Sequence, residues 1–370
     1  MRRSLLLALS IVAAVSLPVL SGGTSGASAP SPNPAWVRDT VQQLNIFLPD
    51  GDSDYWINGW GADNGARTVI SGQAPHARYW SFTAYPFGSN GTDTHLHDTQ
   101  IAQSDGRYRV TLTSSCAHVA GTCLDTSTTG TSGLLVLRLY VPVDYSGAGT
   151  GEVPLPTLTY ENAKGSPLSL SAAAGTTKDT SAIQFLNGLH GQLPAALTKP
   201  YPAQGPVPTP VVSPVPIARP TGPMGVYANP DNLYDHIALS TSRGDLVLTA
   251  KPPTYQDDVA HPANSLSHPA GSSTQVRYWS ICVTDTGRAT GACLRDDQVH
   301  LGKNGQFVII VSPTCPVAGF ANCLVSGPAQ IQTAIAYRNL LPSASFKSQA
   351  FRGPYALRGA YVARPPTEAG

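Results

Sequence analysis

Two histidines separated by one residue, His95 and His97, have the spacing that most strongly suggests chemistry. Alternate residues of a strand point to one face, so both imidazoles could reach one metal ion. His76 could supply a third nitrogen, and zinc and copper sites use such sets. An exposed polar loop over residues 89–98 would hold two solvated histidines equally well. No other cofactor is indicated.

A second candidate is the polar run Asn229-Pro230-Asp231-Asn232 with Tyr234 two residues further on. Such a run predicts a turn whose side chains satisfy backbone N–H groups. In a binding protein the same groups could hydrogen-bond sugar hydroxyls, and Tyr234 could stack on a ring. Both interpretations can hold together.

Trp56 and Trp60 form a third candidate, because Gly59 and Gly61 around them suggest exposure. An exposed pair of rings is typical of β modules that hold polysaccharide. Packing in a core or at a sheet edge is the alternative for either ring alone.

Enzyme motifs are scarce in the chain. Its glutamates are Glu152, Glu161 and Glu368, and the first two flank a predicted strand. An extended strand of that length separates them by roughly 30 Å, which is too far for one glycosidase site. The chain has no Gly-x-Ser-x-Gly elbow and no Gly-rich phosphate loop.

An internal repeat organises the chain. Arg78-Tyr79-Trp80-Ser81 recurs as residues 277–280, and Arg138 through Pro142 recurs as residues 338–342. Further upstream, residues 53–56 align with residues 231–234. Features present in both copies are expected to belong to the fold, and features of one copy to function or drift.

Both copies carry an arginine followed by an acid twenty residues later. We therefore predict structural ion pairs within each copy, Arg78 with Asp98 and Arg277 with Asp297. A buried pair of this kind specifies register more than it stabilises. The alternative is an arginine that clamps a carboxylate or sulfate ligand.

The six cysteines fall into three local pairs, and the repeat favours pairing within them. The predicted disulfides are Cys116–Cys123, Cys282–Cys293 and Cys315–Cys323.

The elements that would position these residues are strands. Alternation in residues 78–83 and hairpin signals at residues 105–106 and 304–305 predict an all-β fold. We expect two tandem pseudo-repeated sandwich- or jelly-roll-like domains with minor helix, over residues 36–44 and 180–197. The predicted organisation is a signal peptide (1–29), a first β domain (30–198), a Pro-rich linker (199–225) and a second β domain (226–370). A linker that lies along the domain surface is the competing interpretation.

The second copy carries Ala228 through Tyr234, Asp245 through Leu248, and Arg277-Tyr278-Trp279-Ser280 followed by Asp285. This Asn-x-Asp-x-x-Tyr and Arg-Tyr-Trp-Ser pattern resembles exported bacterial proteins of unknown function that carry tandem β domains. Residues 337–342 with Phe346 are similar to uncharacterised actinobacterial secreted proteins. The resemblance implies β architecture and export, and it implies no reaction.

Composition narrows the function. Charged residues make up 12% of the chain, about half the usual share, and the net charge is +1. Neither nucleic acid nor an anionic membrane surface is therefore an expected partner, and no segment after the signal is a candidate membrane span. Three hypotheses remain: a secreted or envelope-associated protein that binds an extracellular polymer or glycan, a secreted and metal-assisted hydrolase, and an envelope interaction protein. We expect a ligand to bind in the groove between the copies.

Overall fold

The computed structural model describes residues 36–86, 93–145, 147–173, 217–218, 227–239, 244–255, 274–284, 289–326 and 334–362. Residues Pro32–Gly370 form one compact unit. The predicted signal peptide and the helix expected over residues 180–197 lie outside the described residues. No helix within the described ranges has the length and apolar character needed to cross a membrane.

The first copy contains two sheets. Sheet 1 has the order β1-β2-β9-β4-β5, and sheet 2 has the order β11-β10-β3-β7-β6 with β8 parallel to β7. The strands are β1 (Val37–Asp39), β2 (Ser53–Gly61), β3 (Arg67–Gln73), β4 (Ala77–Pro86), β5 (Thr94–His97), β6 (Gln103–Ser104), β7 (Arg107–Thr113), β8 (Thr122–Asp125), β9 (Ser132–Pro142), β10 (Thr157–Glu161) and β11 (Pro167–Leu168).

The second copy repeats this arrangement. Sheet 3 has the order β12-β13-β19-β15-β16, and sheet 4 has the order β18-β17-β14-β20 with β18 parallel to β17. The strands are β12 (Ile217–Ala218), β13 (Asn232–Ala238), β14 (Asp245–Ala250), β15 (Tyr278–Thr284), β16 (Thr290–Arg295), β17 (Phe307–Ser312), β18 (Asn322–Val325), β19 (Ala334–Leu340) and β20 (Arg358–Val362).

The fold class is all-β, as predicted. Two short α-helices, α1 (Leu170–Ala173) and α2 (Ala344–Lys347), accompany the strands in the described part of the chain. The hairpin between β6 and β7 turns at Asp105-Gly106, where both residues have positive φ (51° and 69°). That backbone matches the twist of the flanking strands, which explains the Asp-Gly pair.

Two expectations about local structure need correction, and for part of the linker the structure agrees with the competing interpretation. Residues 36–44 were expected to be helical, but Val37–Asp39 forms β1 and pairs with β2. Within the predicted linker, Ile217–Ala218 forms β12 and pairs with β13, so this part lies along the second copy, as the competing interpretation stated. The upstream alignment is shifted by one residue: Ser53 lies opposite Tyr140 and Asn232 opposite Leu340, so Ser53 corresponds to Asn232.

The shift matters because one residue in a strand reverses the face that a side chain occupies. With the corrected register, Tyr55 and Tyr234 are equivalent, since they lie opposite Arg138 and Arg338. All four belong to the faces of sheets 1 and 3 that point away from the two sandwich cores.

All three predicted disulfides are present. Their Cα–Cα distances are 5.8, 4.1 and 5.8 Å for Cys116–Cys123, Cys282–Cys293 and Cys315–Cys323. Disulfides of this number are typical of proteins from an oxidising, non-cytoplasmic compartment.

Each copy has its own apolar core, and a third cluster joins them. Trp80 lies in the first core and Trp279 in the second, as predicted from their equivalence. The third cluster combines residues of both copies, among them Tyr79, Tyr140 and Tyr278. We call the side chains between sheets 1 and 3 the central layer, and His95, Asp231 and the two repeated arginine–acid pairs discussed below lie in it or at its edge.

Candidate functional site

The conserved arginine–acid motif of the two copies forms ion pairs between them. Arg78 Nη1 lies 2.7 Å from both carboxylate oxygens of Asp296, and Arg277 Nη1 lies 2.7 and 2.5 Å from those of Asp98. The Arg78–Asp296 side chains are at most 1% exposed. The predicted pairing within each copy is therefore wrong, because each arginine crosses the central layer. Asp297, the acid expected to pair with Arg277, instead accepts a hydrogen bond from Arg295 Nε at 2.5 Å.

His95 is directed toward the second copy. It lies on β5 opposite Thr83, and the neighbouring Leu96 packs against the first core. Its Nε2 lies 3.1 Å from Asp231 Oδ1, and the Tyr79 hydroxyl donates to Asp231 Oδ2 at 2.7 Å. The His95 side chain is 31% exposed and that of Asp231 is 9% exposed. This Tyr–Asp–His arrangement is thus open to solvent at the imidazole.

The charges at this edge act on one another. Burial alone would raise the pKa of Asp231, but hydrogen bonds from His95 and Tyr79 and the charges of His95 and His97 lower it. Burial, together with the Asp231 charge, raises the pKa of Tyr79 well above its usual value. Asp231 is therefore an ionised acceptor and Tyr79 a neutral donor at physiological pH.

The three histidines do not converge as a metal site would require. His97 Nδ1 lies 3.0 Å from the Thr99 hydroxyl, and His76 faces Glu152 at 3.6 Å. Among the described residues, the acid, cysteine and histidine atoms that cluster tightly enough for a metal ion are those of Asp50, Cys282 and Cys293. The two cysteines form a disulfide, so they offer no thiolate.

The tryptophans expected to form a platform are engaged in packing. Trp60 is fully buried and its Nε1 donates to Tyr85 O at 3.2 Å, so it cannot stack on a ligand. Trp56 is half-buried, donates to Gly149 O, and carries the Arg38 guanidinium 5.6 Å above its ring. Gly59 and Gly61, which lie beside these rings, are buried residues of β2, where exposure was predicted.

The polar run Asn229-Pro230-Asp231-Asn232 forms a turn, which was one of the two interpretations of its sequence. Asn229 Oδ1 accepts from Asp231 N at 3.1 Å, and Asn229 O accepts from Asn232 N at 3.1 Å. Asn232 Nδ2 donates to the Tyr140 hydroxyl at 3.2 Å and to that of Tyr234 at 3.3 Å. The side chains of this turn therefore make hydrogen bonds within the central layer. His95, at the edge of the layer, keeps 31% of its side chain exposed.

The repeat places two equivalent sites on opposite sides of the central layer. Site A combines sheet 1 with the second-copy turn, and site B combines sheet 3 with the first-copy turn. Site A consists of Tyr79, Ser81, Thr83, His95, Arg138 and the turn Tyr227–Asn232. Site B consists of Tyr278, Ser280, Cys282, Cys293, Arg338 and the turn Leu48–Ser53.

Hydrogen bonds support this equivalence. Arg138 Nη2 donates to Tyr227 O at 2.8 Å, and Arg338 Nη2 donates to Leu48 O at 3.1 Å. Leu48 and Tyr227 both have positive φ, 50° and 72°. Asp52 O and Asp231 O accept from the equivalent Val141 N and Leu341 N at 2.8 and 2.9 Å. Asp52 thus corresponds to Asp231, and Asp50 corresponds to Asn229.

Site B is closed by charge pairing and by a covalent bond. Asp50 accepts from the Tyr278 hydroxyl at 2.7 Å and from the Ser280 hydroxyl at 2.5 Å, and lies 3.4 Å from Arg338. The Cys282–Cys293 disulfide stands where site A has Thr83 and His95, since both pairs occupy the same register.

Sequence reasoning missed Arg138, Arg338 and Asp50. A signal was present for the arginines, because Arg138 interrupts an otherwise apolar run at residues 134–141 and recurs as Arg338. The one-residue error in alignment hid the correspondence of Asp50 with Asn229.

The fold and the site define a class: a tandem β-sandwich protein with two equivalent polar sites between its copies, one closed by a disulfide and one half-open. No family model and no curated protein matches the chain. Among solved structures, it is similar to a putative uncharacterized protein from Burkholderia cenocepacia, with 15% identity, a TM-score of 0.52, and coverage of 86% of this chain and 78% of that one. A second similar structure is the VPA0106 protein from Vibrio parahaemolyticus, with 11% identity, a TM-score of 0.43, and coverage of 86% and 92%. The first likeness supports the fold alone.

Proposed function

We propose that this is an exported, non-catalytic binding protein that recognises a glycan-like polar group of an extracellular polymer at the edge of site A. Export is supported by the signal-like N-terminus and by the three disulfides. The rim offers an ionised carboxylate and an imidazole, which suit sugar hydroxyls as hydrogen-bonding partners.

One observation carries this proposal. The two sites are built from equivalent strands and turns, yet His95 keeps its side chain 31% exposed beside Asp231, whereas Cys293 is tied to Cys282 in the other site. A feature that differs between copies is not needed by the shared fold. The polar edge at His95 is therefore the part of the central layer available for recognition.

Co-sedimentation tests the proposal directly. Purified protein is mixed with cell wall, chitin, cellulose or starch, and its depletion from the supernatant is measured. We expect one polymer to deplete the protein and Asp231→Asn with His95→Gln to abolish depletion while the melting temperature is kept. Asp52→Asn, the equivalent acid in site B, is the matched control and should bind normally. Trp56→Ala should also bind, because its ring is not a free platform. Loss of binding in the control alone would overturn the assignment to site A.

A hydrolase is the second candidate, because the His95–Asp231 pair is a carboxylate-oriented imidazole. Such a pair is the base half of a nucleophilic triad. Turnover of chromogenic esters or glycosides that disappears in His95→Gln would favour it over simple binding. Retention of the polymer without any turnover would support the non-catalytic function.

A further inference from the structure

The floor of site A contains a buried arginine that no carboxylate neutralises by direct contact. Arg138 is fully buried. Its Nη1 donates to the Thr83 hydroxyl at 3.0 Å, and its Nη2 donates to the Tyr85 hydroxyl at 2.7 Å and to Tyr227 O. Its Nε has no hydrogen-bond partner among the described residues. A buried charge without a counter-charge is strongly unfavourable, so a compensating negative charge is expected there.

Site B shows what such a counter-charge looks like in this fold. Arg338 is the equivalent of Arg138 in sheet 3, and it donates to Leu48 O as Arg138 donates to the equivalent Tyr227 O. In addition, Asp50 Oδ2 lies 3.4 Å from Arg338 and accepts from the Ser280 hydroxyl. A single carboxylate thus satisfies the arginine and the serine together.

Site A has a neutral amide at the corresponding position, Asn229. Among the buried polar atoms of site A without a partner in the described residues, three can donate a hydrogen bond: Arg138 Nε, Ser81 Oγ and Asn229 Nδ2; the fourth, Asn232 Oδ1, is an acceptor. Each of the three donors belongs to a residue at most 2% exposed. Ser81 and Arg138 lie directly opposite each other on β4 and β9, and Ser81 and Asn229 both lie near enough to the Tyr79 hydroxyl to lower its pKa. All three can donate, and the equivalents of two of these residues, Ser280 and Arg338, are the ones that the Asp50 carboxylate contacts in site B.

Three acids of the described ranges lie near site A, and none of them forms an ion pair with Arg138. Asp93 is exposed, and its charge acts on the Tyr85 hydroxyl. Asp231 is held at the rim by His95 and Tyr79. Asp39 acts on Arg138 from a distance, but its oxygens accept from Ile46 N and Phe47 N, and burial raises its pKa to about 7. It is therefore only partly ionised at neutral pH. The sequence segments 87–92 and 219–226, next to β4 and to the turn, contain no Asp or Glu.

We propose that site A binds a small monovalent anion through Arg138, Ser81 and Asn229. The anion is either chloride or the carboxylate group of a larger ligand, because both carry a single negative charge and accept hydrogen bonds. The anion takes the place that Asp50 holds in site B. This inference concerns the floor of the site and stands whether or not a glycan binds at its rim.

Chloride NMR provides the test, because a chloride ion that exchanges with an asymmetric protein site broadens the chloride resonance. The full chain, purified in halide-free buffer, is titrated with sodium chloride in the absence of any polymer. We expect broadening that scales with protein concentration. Acetate and glucuronate are then added as competitors at constant ionic strength, with methanesulfonate as the reference salt. If glucuronate alone narrows the chloride resonance, the ligand is a sugar acid. If acetate narrows the resonance as well, the site binds carboxylates in general. Narrowing by neither would identify chloride itself.

The duplication supplies matched variants. Asn229→Asp introduces the carboxylate that site B has and should abolish the broadening of the chloride resonance. The melting temperature should rise with chloride concentration in the wild type and stay constant in this variant. Asp50→Asn removes that carboxylate from site B and should add a second chloride-dependent increase in melting temperature. Ser81→Ala weakens chloride binding without adding charge, and it decides the question if Asn229→Asp fails to fold. Equal broadening in wild type, Asn229→Asp and Ser81→Ala would overturn the proposal, as would the absence of broadening in the wild type.

Discussion

The crossed ion pairs predict that Arg78 is coupled energetically to an acid of the other copy. Arg78→Met would leave the Asp296 carboxylate fully buried without its cation, since the two side chains are 1% and 0% exposed. Removing one partner of a buried pair costs about 3–5 kcal/mol in unfolding free energy. Replacing both partners, as Arg78→Met with Asp296→Asn, should cost clearly less than the sum of the two single changes.

Urea unfolding followed by tryptophan fluorescence measures this coupling. A double-mutant cycle for Arg78 and Asp296 should give an interaction energy of about 2 kcal/mol or more, within the range for residues in contact. The same cycle for Arg78 and Asp98, the pair within one copy, should give about 0.5 kcal/mol or less. Each variant must keep the wild-type slope with denaturant for the comparison to hold. A larger coupling within the copy than between the copies would refute the crossed arrangement.

Three further predictions concern stability. Asp39 has its pKa raised to about 7 by burial, so the folded state binds more protons than the unfolded state between roughly pH 4 and 7. Its contribution to the free energy of unfolding is lost as pH rises through that window, by at most about 4 kcal/mol. In Asp39→Asn the melting temperature should therefore change less with pH between about pH 5 and about pH 8 than in the wild type. A pH profile of the melting temperature equal to that of the wild type would contradict this. Replacing Cys282 and Cys293 with alanine should cost about 3 kcal/mol in chemical denaturation, because the unfolded chain gains the conformational entropy of the loop that the disulfide closes, and no loss would show that the disulfide constrains little. Gly133→Ala should lower stability by about 1–3 kcal/mol, since its Cβ would meet the Tyr85 carbonyl oxygen and lie 2.8 Å from Trp60 Nε1; an unchanged melting temperature would contradict this.

The sequence predicted those features that depend on local spacing. Alternation in β4, the Asp105-Gly106 turn and the three cysteine pairs each follow from residues close together in the chain. The helix expected over residues 36–44 was wrong because β1 gains its stability from pairing with β2, and this contact is invisible in the segment itself.

The candidate site was harder to predict for a different reason. His95 and Asp231 are 136 residues apart and meet only because the copies face each other. Both copies carry the arginine and an acid, so the sequence fits pairing within a copy and pairing between copies equally well. The second copy also has two adjacent acids, Asp296 and Asp297, and the spacing of twenty residues selected the one that does not pair with Arg78. Trp60 was misjudged because Gly59 and Gly61 are buried residues of β2 that pair with β9, whereas glycine also marks exposed turns.

The reciprocal pairing of Arg78 with Asp296 and of Arg277 with Asp98 is what an isologous homodimer of a single copy would form about a two-fold axis. In such a dimer any substitution appears twice, so both sites would have to carry a histidine or both a disulfide. Joining the copies in one chain removes that constraint. One half of the interface can then be closed by a disulfide while its counterpart carries His95 and Asn229 at the equivalent positions.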